Sequence, residues 1–232
     1  MKLYYDLHMH SALSPCGDND MTPNNIVHMA MLNELDMIAV TDHNACDNLP
    51  AVYKVAEECG VLLIPGVEVT TAEEVHVLGY FPGVAEALSF SDYIYAALPD
   101  VPLREDIFGE QLILNEEDEI IGKKSKLLIN ACAYSYDEIF AEIRRRGGVP
   151  VPAHVNRDAY AVVSNLGMIP EDPLLHTIEV YENLPTGTID IASFRCTYSS
   201  DAHYLENIAE RRHYLNCDRT VESVLAKLAS PI

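Results

Sequence analysis

Short apolar segments alternate with amphipathic helical segments along most of this chain, and this alternation restricts the folds open to it. Repeated strand–helix units with short connections are typical of a parallel sheet, either open or closed into a barrel. The 232 residues suit a single domain of this kind. The predicted strands are 3–7, 36–41, 61–69, 75–81, 149–153, 177–181 and 195–199, and the predicted helices are 22–35, 49–59, 135–146 and 221–229.

The ends of three predicted helices carry clear sequence signals. Thr22 precedes Pro23, a pairing typical of a helix start. Ser135 and Glu138 have the spacing of a capping box. Gly60 is placed to end the helix over 49–59.

The alternation is interrupted between residues 82 and 132. This stretch contains prolines, an acidic run at 116–119 and a basic pair at 123–124. Residues 112–114 and 126–129 predict a hairpin. We interpret 82–132 as an insertion within one domain spanning 1–232, folded over one end of the barrel as a candidate substrate lid. Its charge runs are typical of a solvated face.

Six of the nine histidines lie at or near predicted strand ends, together with two acidic residues. The carboxyl ends of parallel strands share one face of a barrel, where active sites lie. In the sequence 8–10, two imidazoles two residues apart on a strand point the same way and can face one metal. The candidate ligands are His8, His10, His43, Glu68, His76, His154, Asp201 and His203.

Eight candidate ligands exceed the needs of one ion and suit two or three divalent ions. Glu68 and Asp201 could bridge neighbouring ions, because a carboxylate offers two oxygens. The remaining histidines, His28, His176 and His213, have no such partners in the sequence, and we assign them to structure or surface.

The formal net charge of −21, from 36 acidic and 15 basic residues, disfavours binding of long nucleic acid without excluding a local phosphate site neutralised by metal. A hydrophobic content of 49% is sufficient for a sizeable core. No apolar run is long enough to span a membrane, no signal peptide is recognisable, and the six cysteines form no C-x-x-C pair. We therefore expect a reduced, cytoplasmic protein with no membrane partner.

Six motifs occur in a fixed order along the chain: H-x-H at 8–10, T-D-H at 41–43, G-x-E at 66–68, H-V-L-G-Y at 76–80, P-A-H at 152–154 and S-D-A-H at 200–203. In this the chain resembles the polymerase-and-histidinol-phosphatase (PHP) family of metal-dependent phosphoesterases, in particular its stand-alone, nucleotide-phosphoesterase-like branch. The resemblance implies an α/β fold, a distorted (β/α)7 TIM-like barrel with an insertion after the fourth strand. It also implies two or three Zn, Mn or Fe ions at the strand ends.

The sequence departs from the family pattern just after H-x-H, where a further His or Asp ligand is usual. Counting back from Thr22 and Pro23 places Asp18 in that position, whereas counting forward from His10 leads to Cys16. We favour Asp18, because hard oxygen ligands suit a phosphoryl-transfer site. Cys16 is the alternative ligand and would indicate a more zinc-like site.

The resemblance implies hydrolysis by a hydroxide generated from metal-bound water. Asp201 is expected to be catalytic, and His203 or His154 to protonate the leaving oxygen. Arg157 is either a phosphate-binding group or an exposed loop arginine. Asp42 and Glu179 are expected to orient the metal ligands.

The sequence favours a small phosphomonoester, either a nucleotide or a phosphorylated metabolite, as substrate. The alternatives are a phosphodiesterase or exonuclease acting on short oligonucleotides, and a non-catalytic metal-binding regulatory module. The acidic charge and the lack of a basic, aromatic groove favour the small substrate.

Overall fold

Eleven strands and seven α-helices follow one another along residues 1–232, all of which the computed structural model describes. The strands are β1 Lys2–Met9, β2 Met37–Val40, β3 Leu62–Leu63, β4 Gly66–Thr70, β5 His76–Tyr80, β6 Leu112–Leu114, β7 Ile120–Lys123, β8 Val149–Pro152, β9 Thr177–Glu179, β10 Arg195–Thr197 and β11 Tyr214–Asn216. The helices are α1 Pro23–Leu32, α2 Leu49–Cys59, α3 Val84–Ala97, α4 Glu105–Phe108, α5 Tyr136–Arg145, α6 Val162–Leu166 and α7 Val221–Leu228, with a 3₁₀ turn at Leu205–Asn207.

The largest sheet has the order β11-β1-β2-β3. The pairs β1–β2 and β2–β3 are parallel, because α1 and α2 carry the chain back to the start of the next strand. β11 pairs antiparallel with the other edge of β1. β2 is buried at all four positions, as expected for a parallel strand covered on both faces.

The second sheet, β4-β5-β8, is antiparallel throughout, which corrects the expectation of a wholly parallel arrangement. The connection between β4 and β5 covers only residues 71–75. A parallel crossover needs a dozen or more residues, so this short connection forms a hairpin. Thr70 therefore pairs with His76, and the first residue of β5 lies at the same end as the last residue of β4.

The remaining strands form two small sheets, a parallel β9–β10 pair and an antiparallel β6–β7 hairpin. The strands thus divide into four sheets and do not form one closed barrel. The predicted strand 61–69 is two strands, β3 and β4, separated by Ile64 and Pro65.

The three predicted helix-end signals are confirmed, although α1 ends at Leu32 and not at residue 35 as predicted. The Thr22 side chain accepts a hydrogen bond from the Asn25 N–H at the start of α1. Ser135 and Glu138 form both bonds of a capping box at α5. Gly60 ends α2 in the left-handed conformation, with φ of 68°.

The stretch 82–132 is more regular than expected. It begins with the fourteen-residue helix α3, whose Ala87, Phe90 and Ile94 are buried in the core. Its hairpin pairs β6 with residues 120–123, not with 126–129. The acidic run forms the turn of this hairpin, because the Asn115 side chain accepts hydrogen bonds from backbone N–H groups in it and Asp118 adopts a φ of 60°.

An apolar cluster of 14 buried residues supports the sheets from inside. Side chains of β1, β2, β5 and β8 meet there, and α7 packs Val224, Leu225 and Leu228 against them. A larger cluster of 39 residues joins the strands to the surrounding helices. None of the helices is long and apolar enough to cross a membrane.

Candidate metal centre

The Glu68 carboxylate lies at the centre of a buried group of imidazoles and is itself 1% exposed. Its Oε1 atom is 2.9 Å from Nδ1 of His76. The same oxygen is 3.3 Å from Nε2 of His8 and 3.3 Å from Nε2 of His154. One carboxylate oxygen therefore faces three imidazole nitrogens.

The other oxygen of Glu68 faces a different pair of imidazoles. Oε2 is 3.0 Å from Nδ1 of His43 and 3.4 Å from Nε2 of His10. The two oxygens of the Glu68 carboxylate therefore face separate groups of imidazole nitrogens.

Asp201 supplies the second carboxylate of the cluster. Its Oδ1 atom is 3.0 Å from Nε2 of His10 and 3.2 Å from Nε2 of His8. Its Oδ2 atom accepts a hydrogen bond from Nη1 of Arg157 at 2.5 Å. Asp201 thus connects the cluster to a guanidinium group at its edge.

The strands bring these side chains together through irregular backbone at their ends. The register of β1 with β2 shifts between Asp6 and Met9, where His8 lies, and such shifts re-aim side chains. His154 and Asp201 have φ of 29° and 52°, in the left-handed region. Each such residue costs roughly 1–3 kcal/mol, and this kind of strain concentrates at functional sites.

Glu179 holds two of the imidazoles in place. Its Oε2 accepts a hydrogen bond from Nδ1 of His8 at 2.9 Å and from the backbone N–H of His154 at 3.0 Å. The bond to Nδ1 leaves Nε2 of His8 pointing towards Glu68 and Asp201. This is the orienting geometry expected for a carboxylate behind a metal ligand.

Asp42 acts on the imidazoles through serine hydroxyl groups. Ser14 donates to its carboxylate at 2.7 Å, and Ser11 donates at 2.6 Å. The Ser14 hydroxyl in turn accepts from Nδ1 of His10 at 3.0 Å and from the backbone N–H of His43 at 3.1 Å. Asp42 therefore contacts no imidazole directly.

Asp6 is a further buried carboxylate at the site, to which the sequence led us to assign no role. It accepts hydrogen bonds from the Ser200 hydroxyl at 2.5 Å and from the Ser200 and Ala209 backbone N–H groups at 3.0 and 2.9 Å. It thereby fixes the turn that presents Asp201. A charged residue inside the apolar strand 3–7, two positions before H-x-H, was the available signal.

The residues fit a divalent metal centre by two observations. First, His8 Nε2, His43 Nδ1 and Glu68 Oε2 are buried without hydrogen-bond partners. Such atoms are costly unless a ligand satisfies them. Second, three groups have all their ligand atoms within 4.8 Å of one another, and these groups are His8–His10–Glu68–Asp201, His43–Glu68–His76 and His10–His43–His203.

The charges of the cluster are strongly coupled. Burial lowers the pKa of His8, but the carboxylates of Glu179, Asp201 and Glu68 outweigh it and raise the pKa well above its usual range. Burial likewise lowers the pKa of His43, but Glu68 opposes this effect, and the pKa of His43 also lies well above its usual range. Protons on these two imidazoles thus balance the buried carboxylates.

Other groups of the cluster have a lowered pKa. Burial, His43 and His203 hold the pKa of His10 well below its usual range. Burial lowers the pKa of His76 to about 4. Burial raises the pKa of Glu68, but the neighbouring imidazoles hold it well below its usual range. Neutral imidazoles and an ionised carboxylate are the forms that ligate metal.

The two alternative ligands, Asp18 and Cys16, lie in different surroundings. The Asp18 carboxylate accepts a hydrogen bond from the Asp20 N–H at 2.9 Å, and neither Asp18 nor Cys16 belongs to any of the three ligand groups. Burial raises the pKa of the Cys16 thiol, but His43 and His203 together lower it by more than burial raises it. The resulting pKa is about 7. The structure thus places Cys16, not Asp18, beside the imidazoles.

Two cavities flank the cluster. The Tyr204 cavity, of about 770 Å³, is lined by Cys16, Arg157 and residues 181–183, 198–201, 203–204, 206–210 and 212–213. The Tyr160 cavity, of about 500 Å³, is lined by the cluster and by 157–160, Tyr181 and Leu184. Arg157, Tyr181, Asp201 and His203 line both cavities. No residue of 82–132 lines either cavity, and the role of this insertion as a lid stays a prediction.

The three histidines assigned to structure or surface belong to none of the ligand groups. His28 is exposed on α1. His213 stacks on Tyr198 with ring centroids 4.8 Å apart.

A family model described as the PHP domain matches residues 6–170, more than half of the chain. The chain belongs to the PHP family. The resemblance to this family is confirmed, and five of the six motifs lie within the matched residues.

Curated relatives of this PHP protein include the 5′-3′ exoribonuclease Rnm of Salmonella typhimurium, 36% identical over 80 residues. A 5′-3′ exoribonuclease of Haemophilus influenzae is 35% identical over 78 residues. Each match covers 32% of this chain. The chain spans only about a quarter of the length of these relatives, 26% and 27%.

Solved structures show the same fold at low sequence identity. The lesion-specific endonuclease EndoQ of Pyrococcus furiosus superposes with a TM-score of 0.69 and 18% identity, covering 99% of this chain and 56% of that one. A candidate metal-dependent phosphoesterase of Bifidobacterium adolescentis superposes with a TM-score of 0.64 and 22% identity, and the match covers 96% of each chain. Another structure holds Endonuclease Q with a 27-mer duplex, at a TM-score of 0.59 and 18% identity, covering 88% of this chain and 50% of that one.

Proposed function

We propose that this protein is a phosphodiesterase that cleaves short oligonucleotides or the ends of nucleic-acid strands. The observation that carries the proposal is the position of the cluster between two cavities with four lining residues in common. A phosphodiester has a substituent on each side of its phosphorus, and the two cavities offer space for both. A phosphomonoester has only one substituent and needs only one cavity.

The relatives support the diester over the small phosphomonoester that the sequence favoured. The curated relatives are named as exoribonucleases, and two of the solved neighbours are named as endonucleases. They also argue against a non-catalytic regulatory module.

The charges lining the cavities favour short substrates. Beyond the cluster and Arg157, the Tyr204 cavity carries Glu182, Glu206 and Glu210 against Arg212 alone. These carboxylates disfavour the further phosphates of a long strand. Since Endonuclease Q binds a duplex with this fold, the fold itself does not exclude longer nucleic acid, and the restriction proposed here comes from this chain's own carboxylates.

We assign two Zn, Mn or Fe ions to two of the ligand groups. His8, His10, Glu68 and Asp201 would hold one ion, and Glu68 with His43 and His76 would hold the other. Imidazole and carboxylate donors suit all three metals. His154 borders Glu68 as a further ligand. A third ion in the remaining group would require His10 and His43 to serve twice.

When bound, such ions lower the pKa of a water molecule and offset phosphate charge. Arg157, with its guanidinium at the junction of the two cavities, would bind the phosphate oxygens. His203 would protonate the leaving oxygen. Burial lowers its pKa, but Cys16 and Asp201 raise it above the usual value, and its Nδ1 donates to the Asp201 carbonyl.

His203 suits this acid role better than His154, because 24% of its side chain is exposed whereas only 3% of the His154 side chain is. We also infer that the four sheets outline a distorted, interrupted seven-unit barrel. Two parallel bridges support this inference, since Met9 of β1 pairs with Ala202 in the segment after β10, and His43 in the segment after β2 pairs with Glu68 of β4.

The proposal is tested with protein loaded separately with Zn²⁺, Mn²⁺ or Fe²⁺. Each form is incubated with a short RNA oligonucleotide, bis(p-nitrophenyl) phosphate and the monoester AMP. We expect cleavage of the two diesters and slower turnover of AMP.

His8→Ala should abolish the activity and lower the metal content. The matched control His28→Ala removes an exposed imidazole from α1 and should leave both unchanged. Turnover of AMP without turnover of either diester would overturn the proposal.

A further inference from the structure

Tyr160 presents an aromatic ring beside the cluster. The ring stacks on the imidazole of His76, with centroids 4.7 Å apart and planes inclined by 19°. The Tyr160 backbone carbonyl accepts the His76 N–H at 2.8 Å. Both contacts hold the ring in a defined position at the wall of the Tyr160 cavity.

The outer face of this ring has no aromatic or cationic partner. Tyr160 is 45% exposed, and its only ring partner is His76. Tyr181, across the same cavity, differs in this respect because the Arg157 guanidinium lies 4.2 Å from its ring centroid. The Tyr160 ring is thus a free stacking surface within the cavity that is lined by most of the proposed metal-ligating residues.

The rest of the Tyr160 cavity suits a flat, uncharged ring. Ala159 and Leu184 add apolar wall, and Asp158 is the only carboxylate there outside the cluster. The volume of about 500 Å³ lies within the range of pockets that hold small ligands, roughly 300–1,000 Å³. Bases stack on aromatic side chains largely independently of their identity.

We propose that the Tyr160 cavity receives the nucleobase next to the scissile phosphate and that Tyr160 stacks on it. The inference rests on the proposed function and narrows its substrate class to nucleotides, as distinct from other phosphodiesters. Tyr160 is then a specificity-determining residue, and Arg157 at the edge of the same cavity binds the adjoining phosphate. The Tyr204 cavity, with its three further carboxylates, would hold the other substituent.

The chain contains no tryptophan, which makes a fluorescence test direct. Tyr160→Trp places a single indole at the proposed stacking position. The matched control Tyr204→Trp places one at a half-exposed tyrosine of the other cavity. Both metal-loaded variants are titrated with AMP and with ribose 5-phosphate, which lacks a base, and metal content is measured for each.

We expect AMP to quench the indole at position 160, with little change at position 204 and little effect of ribose 5-phosphate on either variant. Quenching at position 204 alone, or at neither position, would overturn the inference. Equal quenching by ribose 5-phosphate would also overturn it, because the signal would not report a base.

Truncation of the ring gives an independent measurement. Tyr160→Ala should weaken AMP binding by about 5- to 150-fold, the range for loss of one base stack, whereas Tyr160→Phe should bind almost normally. Cleavage of bis(p-nitrophenyl) phosphate separates the two proposals. If the wild type cleaves this diester but AMP does not quench the fluorescence of Tyr160→Trp, only the stacking inference is contradicted. If AMP quenches the fluorescence but no diester is cleaved, only the proposed function is contradicted.

Discussion

The Nδ1 atom of His8 and the Oε2 atom of Glu179 lie 2.9 Å apart in the buried interior. The same oxygen accepts a hydrogen bond from the His154 backbone N–H. One carboxylate therefore fixes both the orientation of the His8 side chain and the position of the His154 backbone. Neither contact involves a proposed ligand atom. Glu179 therefore acts on the cluster without contacting a proposed ligand atom, by orienting His8 and His154 and by raising the pKa of His8.

Glu179→Ala is expected to lower metal affinity or activity by about 10–100-fold, as is usual when a carboxylate behind a metal-binding imidazole is removed. Glu179→Gln keeps an acceptor oxygen and should lose less. Affinity is measured by competition with a chelator, with circular dichroism as a check of folding. Unchanged affinity in a folded Glu179→Ala protein would contradict the orienting role.

Metal binding should release protons near neutral pH. The metal-free protein retains protons on His8 and His43 above the usual histidine pKa of 6.5, because the surrounding carboxylates raise both values. A metal ion must displace these protons, so its apparent affinity should rise with pH above 6.5 until the imidazoles are neutral. Calorimetric titration in buffers of different ionisation enthalpy measures the release, and a buffer-independent enthalpy would contradict it.

Arg157→Ala should raise KM for a diester by about 10- to 150-fold, the loss expected for a hydrogen bond to a charged group. Arg157→Lys should recover only part of the loss, because lysine cannot bind two phosphate oxygens with a planar fork. The control Arg211→Ala removes an exposed guanidinium paired with Glu34, away from both cavities. Equal KM values for Arg157→Ala and Arg211→Ala would show that Arg157 is an ordinary loop residue.

Cys16 should react with iodoacetamide faster than Cys217 at pH 7. Its thiol pKa is about 7, whereas burial raises the pKa of the Cys217 thiol above the usual 9.0. Mass spectrometry of peptides after timed alkylation compares the two sites within one protein. If Cys16 is a ligand, bound zinc will also protect it, whereas Asp18→Asn will leave the metal content unchanged.

Equal alkylation of the two cysteines at pH 7 would contradict the surroundings described for Cys16. Loss of metal in Asp18→Asn, with full retention in Cys16→Ser, would restore Asp18 as the ligand.

Much of the site follows from spacing alone. Paired residues such as His8 and His10 at a strand end point one way, so their convergence is predictable without a structure. The direction of β5 was also encoded, since five residues between two strands are too few for a crossover. The alternation of strands and helices masked that signal, and a parallel arrangement was expected instead.

The choice between Asp18 and Cys16 could not be made by counting residues. It depends on the path of the loop, in which the Gly17 N–H binds the Ser14 carbonyl and Asp18 turns towards Asp20. Helix α3 was missed for a different reason. Its N-cap residue, Gly83, has no side chain that could cap the helix. The prolines and charged residues that follow the helix dominated the sequence pattern of 82–132.

The reversed direction of β5 also determines where this protein can vary in length. The chain leaves β5 at the end away from the cluster, and α3 returns it to the cluster end, where the Ala133 N–H binds the Ala97 carbonyl at 3.1 Å and the Cys132 N–H binds the Thr70 carbonyl at 2.9 Å. The segment 98–132 is therefore an excursion whose two ends meet. Its exposed residues 104–109 can be lengthened or exchanged with little entropic cost, whereas the rest of the segment contains β6 and β7 and buries Leu112, Leu114 and Leu128.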